Sequence, residues 1–401
     1  MKVLQNTFPN QVKIARQFFI ISALYGLTLR LYKVVDFIPA SYKSIVQAHS
    51  HVTFLGWGFL AVISLIGFVY YPKYLANSRY LKNLFRLMAL MLFGMLISFP
   101  IQGYKLFSIL FLSVFLITSY FYLFAILKQL KSDKKQSTRF IKTGIYYYYL
   151  SSLAIWTVAF VTVKFGKIDL YFNAVYFYLH FLYNGFFVFV LFGLWINYIE
   201  KKQLQIKENH IKFFYLFTHI ACIPAYALSL LWTDVPTITY FIGGIASGLQ
   251  LISLYYLYPI YISFYKSLQS KRIKWISIVV IISYFLKVSL QFLSSFPSIV
   301  EKAVALKSFF IIGYLHLFTL GFMSMFIFLL LSIFPKIKLN KIGLFIFVLG
   351  VLLSETILFS NGLLVLFFKN GMIQIDWLLL YSSALMPIGL LILYFTHAKE
   401  N

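Results

Sequence analysis

The chain of 401 residues has one cysteine, Cys222, which excludes an intrachain disulfide framework, a Cys-x-x-Cys-His covalent haem attachment and a cysteine-held iron–sulfur cluster. Cysteine usage therefore leaves the redox compartment unread. Charge is scarce as well: 11% of the residues are charged and only 10 are acidic, whereas 61% are hydrophobic. No wettable surface can be built from that mixture. There is no polar linker, low-complexity tract or soluble domain, so the chain is treated as one domain, 1–401. No cleavable signal peptide is expected, because Met1 to Arg16 is polar and the first apolar run is long enough to stay in a bilayer. What is abundant is apolar sequence, with aromatics at 21% and many Tyr and Phe at the ends of apolar runs, where amphipathic rings favour the headgroup region. The expectation is an all-α, polytopic membrane bundle.

A spanning helix needs roughly 20 apolar residues. About twelve such runs can be marked, at 17–36, 45–71, 82–102, 105–127, 140–163, 171–198, 211–232, 237–265, 275–296, 308–334, 342–367 and 376–397. Pro72, Pro100, Pro236, Pro297 and Pro335 fall at their ends, as expected of residues that cannot continue a helix. Placing the N-terminus inside gives the cytoplasmic segments 24 of the 35 Lys and Arg, among them Lys128, Lys131, Lys134, Lys135, Arg139 and Lys142. The opposite side receives nine, and Arg86 and Lys287 lie within runs. This is the positive-inside pattern, which puts both termini in the cytoplasm of a cell whose inner membrane holds the chain. The net charge of +25 then needs anionic lipid headgroups as partner and no nucleic acid.

One stretch organises the rest: Ala48-His49-Ser50-His51-Val52-Thr53-Phe54-Leu55-Gly56-Trp57, in the second run. Its outline of His, four residues, Gly and aromatic returns in the sixth run, at His180 to Phe186, and in the tenth, at His316 to Phe322. The spacing suggests a pseudo-threefold chain of three four-helix repeats, about 1–135, 136–270 and 271–401. In an α-helix a five-residue step turns about 140°, so the His can point into a site while the Gly admits a neighbouring backbone. Three imidazoles in the outer half of the bilayer outline a haem or metal site, since His is the commonest metal ligand and the two nitrogens of a bis-imidazole haem come from different helices. The alternative for each is a hydrogen bond to a neighbouring helix.

His49, two residues before His51, faces another way and is read as solvated, or as a donor or propionate neighbour beside the site. His219 falls in the cytoplasmic half, as a core residue or part of an access path, and His210 and His397 sit at helix ends. Lys287, in the middle of the ninth run with Gln291 one turn on, reads as a proton relay or an anion partner. Arg30 is placed to meet a haem propionate, and Glu355 is the one carboxylate well inside a run. Each of these two could instead pair with another buried charge.

At these residues the pattern resembles the catalytic subunit of the haem–copper oxidase superfamily: twelve helices, termini inside, and a His in helices 2, 6 and 10. It is most similar to short, divergent members whose helix 2 reads His-x-His-x3-Leu-Gly-Trp, as His49 to Trp57 does. The haem- and copper-containing NnrS family has similar stretches. The resemblance implies His51 and His316 as axial ligands of a haem and His180 as a copper ligand, with Tyr183 or Asn184 beside it. The sequence departs from the family in three places. Helix 7 offers only His219 where oxidases carry two adjacent His; Phe318 stands where helix 10 usually has a second His; and Asn184 replaces the Tyr that often follows the helix 6 His by four. A complete oxygen-reducing centre cannot be assembled.

The expected function is haem binding for electron transfer or for handling a diatomic gas such as O2 or NO, with an incomplete copper site and a separate cytochrome or quinol as electron donor. Turnover as an oxidoreductase is left open. The rival from another class is a transporter in which His, Lys287 and Glu355 bind a proton or a metal ion; a third reading is a structural membrane subunit without a ligand. The charge bias makes one direct prediction: in a bacterial host, alkaline phosphatase fused to the C-terminus is inactive and a fluorescent protein fused there is bright, and the reverse pair would place the termini outside.

Overall fold

In a computed structural model of the chain, residues 2–36, 38–334, 337 and 339–397 are described. Pro335, Lys336, Lys338 and Lys399, which entered the topology argument, lie outside them. The described residues form helices and no strand. The long helices are α1 (Lys2–Leu31), α2 (Tyr42–Tyr70), α3 (Arg79–Gln102), α4 (Leu106–Leu130), α5 (Gln136–Phe165), α6 (Asp169–Lys201), α7 (Glu208–Cys222), α8 (Thr237–Ser267), α9 (Lys271–Leu293), α10 (Lys307–Ile333), α11 (Lys341–Phe368) and α12 (Ile375–His397). Short helices at Pro72–Asn77 and Pro297–Ala305 lie between them. All but α7 are long and apolar enough to cross a membrane.

Two expectations need correcting. The seventh run is not a continuous helix: α7 stops at Cys222, and a 3-10 segment, Pro224–Leu230, leaves it at 43°. The cause is Pro224, which has no N–H and whose ring collides with the carbonyl four residues back. The first helix also begins near the N-terminus rather than at residue 17, because Phe8, Val12, Ala15 and Phe19 recur at helical spacing and are all buried. Polar caps fix several other starts. Ser78 Oγ accepts from Leu81 N at 3.2 Å, Ser270 Oγ from Ile273 N at 3.4 Å, and Asn340 Oδ1 from Ile342 N at 2.9 Å and Gly343 N at 3.0 Å.

The helices gather into two compact units, Met1–Lys131 with Leu330–Asn401, and Ser132–Leu329. In the first, α1 is held to α2 by Phe19 stacked on Trp57, with centroids 4.5 Å apart, and to α12 by Gln17 Nε2 donating to Tyr394 Oη at 2.8 Å. Arg16 donates to the Leu393 carbonyl. In the second, Phe192 of α6 is the hub of an aromatic cluster with Phe214, Tyr284 and Phe326.

The helices are not equivalent. In α2, α6 and α10, 89, 94 and 83% of the most apolar stretch is buried, against 28 to 50% in the other eight spans. The three helices that carry the His-x4-Gly motif are therefore the inner ones, and the others turn residues such as Phe93, Val163, Phe241 and Tyr255 outward. Each motif glycine is where the preceding long helix comes close. A Cβ on Gly56 would lie 2.8 Å from Phe18 Cβ, on Gly185 2.5 Å from Tyr147 Cβ, and on Gly321 2.7 Å from Ser283 Oγ. The partners are on α1, α5 and α9, and in every case glycine and partner are 38 positions apart in the chain.

No side chain fits at Gly185 without moving the Tyr147 backbone, so Gly185→Ala should cost ~1–3 kcal/mol, the usual range for overpacking. Gly248, with no atom within 4 Å of a built Cβ, is the control: Gly248→Ala should leave the thermal unfolding midpoint in detergent unchanged or slightly raised. Equal effects at the two positions would contradict the packing described.

Candidate functional site

The winding of the chain changes immediately after each motif histidine. Val52–Phe59, Phe181–Phe187 and Leu317–Ser324 are π-helical, and His51, His180 and His316 are the residues that precede them. A π turn carries hydrogen bonds from i+5 to i instead of i+4 to i, is rare, and is found mostly at functional sites. The 140° separation expected from α-helical winding does not apply through these turns, yet His and Gly still face different neighbours: Gly56 meets α1, whereas His51 meets α3.

In the first unit, His51 Nδ1 donates to the Gln47 carbonyl at 2.8 Å, which fixes the proton on that nitrogen and leaves the lone pair on Nε2. Tyr104 Oη, 3.0 Å away, donates to Nε2, and Phe99 stacks on the ring with centroids 4.5 Å apart. Tyr104 stands on the α3–α4 turn, where Gly103 adopts φ 63°. An imidazole tied through one nitrogen to a backbone carbonyl, with the other basic, is how ligating histidines are usually held. His49 turns to α1 rather than to solvent: its Nδ1 is 2.9 Å from the Ser22 carbonyl. Arg30 lies within electrostatic reach of Glu355, Tyr42 and Asp376, so the buried carboxylate of α11 has its cation on α1, and Arg30 has a protein partner before any propionate is invoked.

In the second unit, His180 is buried. Its Nε2 donates to the Cys222 carbonyl at 2.8 Å, and its Nδ1 accepts from Asn184 Nδ2 at 3.3 Å and Ser229 Oγ at 3.4 Å. The break in α7 explains the first bond. The amide of Tyr226, which would reach Cys222 in an α-helix, bonds Ile223 instead, so the Cys222 carbonyl is released and His180 takes it up. Tyr183 stacks on Phe318 at 5.0 Å, bringing the second and third π turns together, and His316 is partly buried at the start of the third. His219, on α7, is bonded through Nδ1 to Tyr147 Oη at 2.9 Å, and His210 lies beside Tyr256. Lys287 is buried and donates to Gln291 Oε1 at 2.7 Å.

His51 and His180 are held alike: each donates one ring nitrogen to a backbone carbonyl and accepts on the other, from Tyr104 Oη at 3.0 Å in the first and from Asn184 Nδ2 and Ser229 Oγ at 3.3 and 3.4 Å in the second. Among the described residues no three or more His, Cys, Asp or Glu side chains gather in a way that could hold a metal ion. Sequence reasoning missed the Gln47 carbonyl, one helical turn before His51, and Tyr104 and Ser229, which are distant in sequence and carry no motif, and it missed the π turns. The recurrence of a glycine five residues after each histidine was their one visible trace.

No family model matches the chain, and no curated protein matches it. The hydrogen bonds of His180 yield their own prediction. Removing the ring in His180→Ala leaves the Cys222 carbonyl unpaired at a helix break, which should cost ~1–3 kcal/mol, read as a lower unfolding midpoint. An unchanged midpoint would mean that the imidazole is not what satisfies the break.

Proposed function

We propose that the chain is a haem-binding protein of the cell inner membrane, an electron carrier or diatomic-gas-handling protein of haem–copper oxidase-like fold. The residues that would hold the haem are His51 and His316, the assignment implied by the resemblance of the His49 to Trp57 and His316 to Phe322 stretches. One observation carries the reading: on each of the three buried helices a histidine opens a π turn whose glycine is clamped by the preceding long helix. Three repeats of four helices with both termini cytoplasmic account for that recurrence. At His51 the donor chemistry suits haem iron, since the backbone bond to Gln47 leaves Nε2 basic, with Tyr104 the group that a ligand there displaces. A haem so held would supply one-electron chemistry, with the electrons delivered by a separate donor, a cytochrome or a quinol. Among the described residues no set of three or more His, Cys, Asp or Glu that could hold a metal ion surrounds His180, so no step is assigned to a second metal.

The visible spectrum of the purified protein tests the proposal. A Soret band that shifts on reduction is expected in the wild type, abolished in His51→Ala and in His316→Ala and retained in His180→Ala. A colourless protein carrying bound Zn or Cu would instead support a transporter that uses its buried His, Lys and Glu, and a colourless, metal-free protein would support a structural subunit.

A further inference from the structure

α9 carries a polar stripe into the core of the second unit. Ser283, Lys287 and Gln291 are spaced four residues apart, so they stand above one another on one helix face, and all three are buried. Lys287 is only 2% exposed. Its Nζ gives one hydrogen bond, to Gln291 Oε1 at 2.7 Å, and lies 6.0 Å from the centroid of the Tyr284 ring. The other groups within its electrostatic reach are His180 and the Cys222 thiol. Among the described residues it meets no carboxylate.

None of these neighbours supplies a negative charge. A thiol with an ordinary pKa near 8.5 is mostly neutral at pH 7, a tyrosine ring offers only its face, and His180 is a neutral imidazole held by hydrogen bonds on both nitrogens. Burying a charge without an opposite one is disfavoured by more than a single hydrogen bond to a neutral amide restores. The ammonium therefore calls for a counter-ion that the fold does not contain, and the groups beside it are built to donate: Nζ has two further protons and the Gln291 amide two more.

We propose that Lys287 and Gln291 form the binding site for one small monovalent anion of the halide, nitrate or formate class. A single positive charge selects a single negative one. The burial of Lys287, Gln291 and His180, at 2, 6 and 4% exposure, limits the ligand to a few atoms. The site lies inside one unit and does not depend on haem.

The test uses the full chain in lipid nanodiscs, in a gluconate buffer of constant ionic strength, with chloride, nitrate and formate each titrated while the thermal unfolding midpoint is followed. The wild type should show a saturable rise with at least one of them, and sulfate, a divalent anion, should give none. Lys287→Met should abolish the rise, and Gln291→Leu should shift half-saturation roughly ten-fold or more, the size of one lost charge-assisted hydrogen bond. Should Lys287→Met not fold, the pair Lys287→Arg and Lys287→Gln decides: the charged variant keeps a response and the neutral one loses it. A wild type indifferent to all three anions carries a neutral amine at this position and overturns the proposal, as does a neutral variant that responds like the wild type. The readout is unfolding rather than colour, so a colourless protein that still answers to anions removes the haem reading and leaves this one standing.

Discussion

Inside a hydrocarbon layer no water is at hand to finish an incomplete hydrogen bond, so every backbone group and polar side chain must find its partner within the protein. Several long-range hydrogen bonds in this chain answer that demand. Where Pro224 breaks α7, the freed Cys222 carbonyl is taken by His180 from another helix. Near the end of α12, the Leu393 carbonyl is met by Arg16, and in α3 the Leu96 carbonyl is met by Tyr25 Oη at 2.7 Å. Glu355 has Arg30 within electrostatic reach, more than 300 residues earlier in the chain. Backbone polarity thus joins side-chain packing in deciding which helices are tied to which, because apolar faces meet lipid as readily as they meet each other.

The same demand gives the π turns their significance. A π turn is an interruption in the regular ladder, tolerated only where neighbouring groups close around it, and these three lie in the helices with the least exposure. The glycine in each turn allows the closure, since it lets Phe18, Tyr147 or Ser283 approach to a distance that a side chain would occupy. The histidine at the head of each turn is thus held in a wall packed on both sides. Its ring can be aimed: His51 meets Tyr104 and Phe99, and His180 meets the break in α7.

The apolar runs made the inner helices legible, and their bounds were close: 45–71 against Tyr42–Tyr70, and 171–198 against Asp169–Lys201. The start of α1 was hidden because from Phe8 onward the helix buries one face only, through Phe8, Val12, Ala15 and Phe19, and forms no continuous apolar run there. Pro224 stood in plain view inside the seventh run, yet whether a proline bends a helix or ends it depends on what can receive the released carbonyl, and that is a tertiary fact. The partners of the histidines were out of reach for the same reason. Nothing local marks Tyr104 as a neighbour of His51, or Ser229 as a neighbour of His180, while the position of each histidine on a membrane-spanning helix followed from sequence alone.

The 38-position interval between each glycine and its clamp is reached by three unlike routes. Between α1 and α2 the chain spends residues 32–41 on the connection, between α5 and α6 only 166–168, and between α9 and α10 it passes through 294–306 with a short helix on the way. A requirement for mere proximity would fix the distance to be covered, and stretches with such different shares of helix and loop would then need different residue counts. A constant count over variable paths is what gene duplication would leave if the copies drifted by substitution without insertion or deletion; on the proposed threefold reading, helix ends would have lengthened or melted while the ancestral tally survived, and the interval would be a record of descent rather than of geometry.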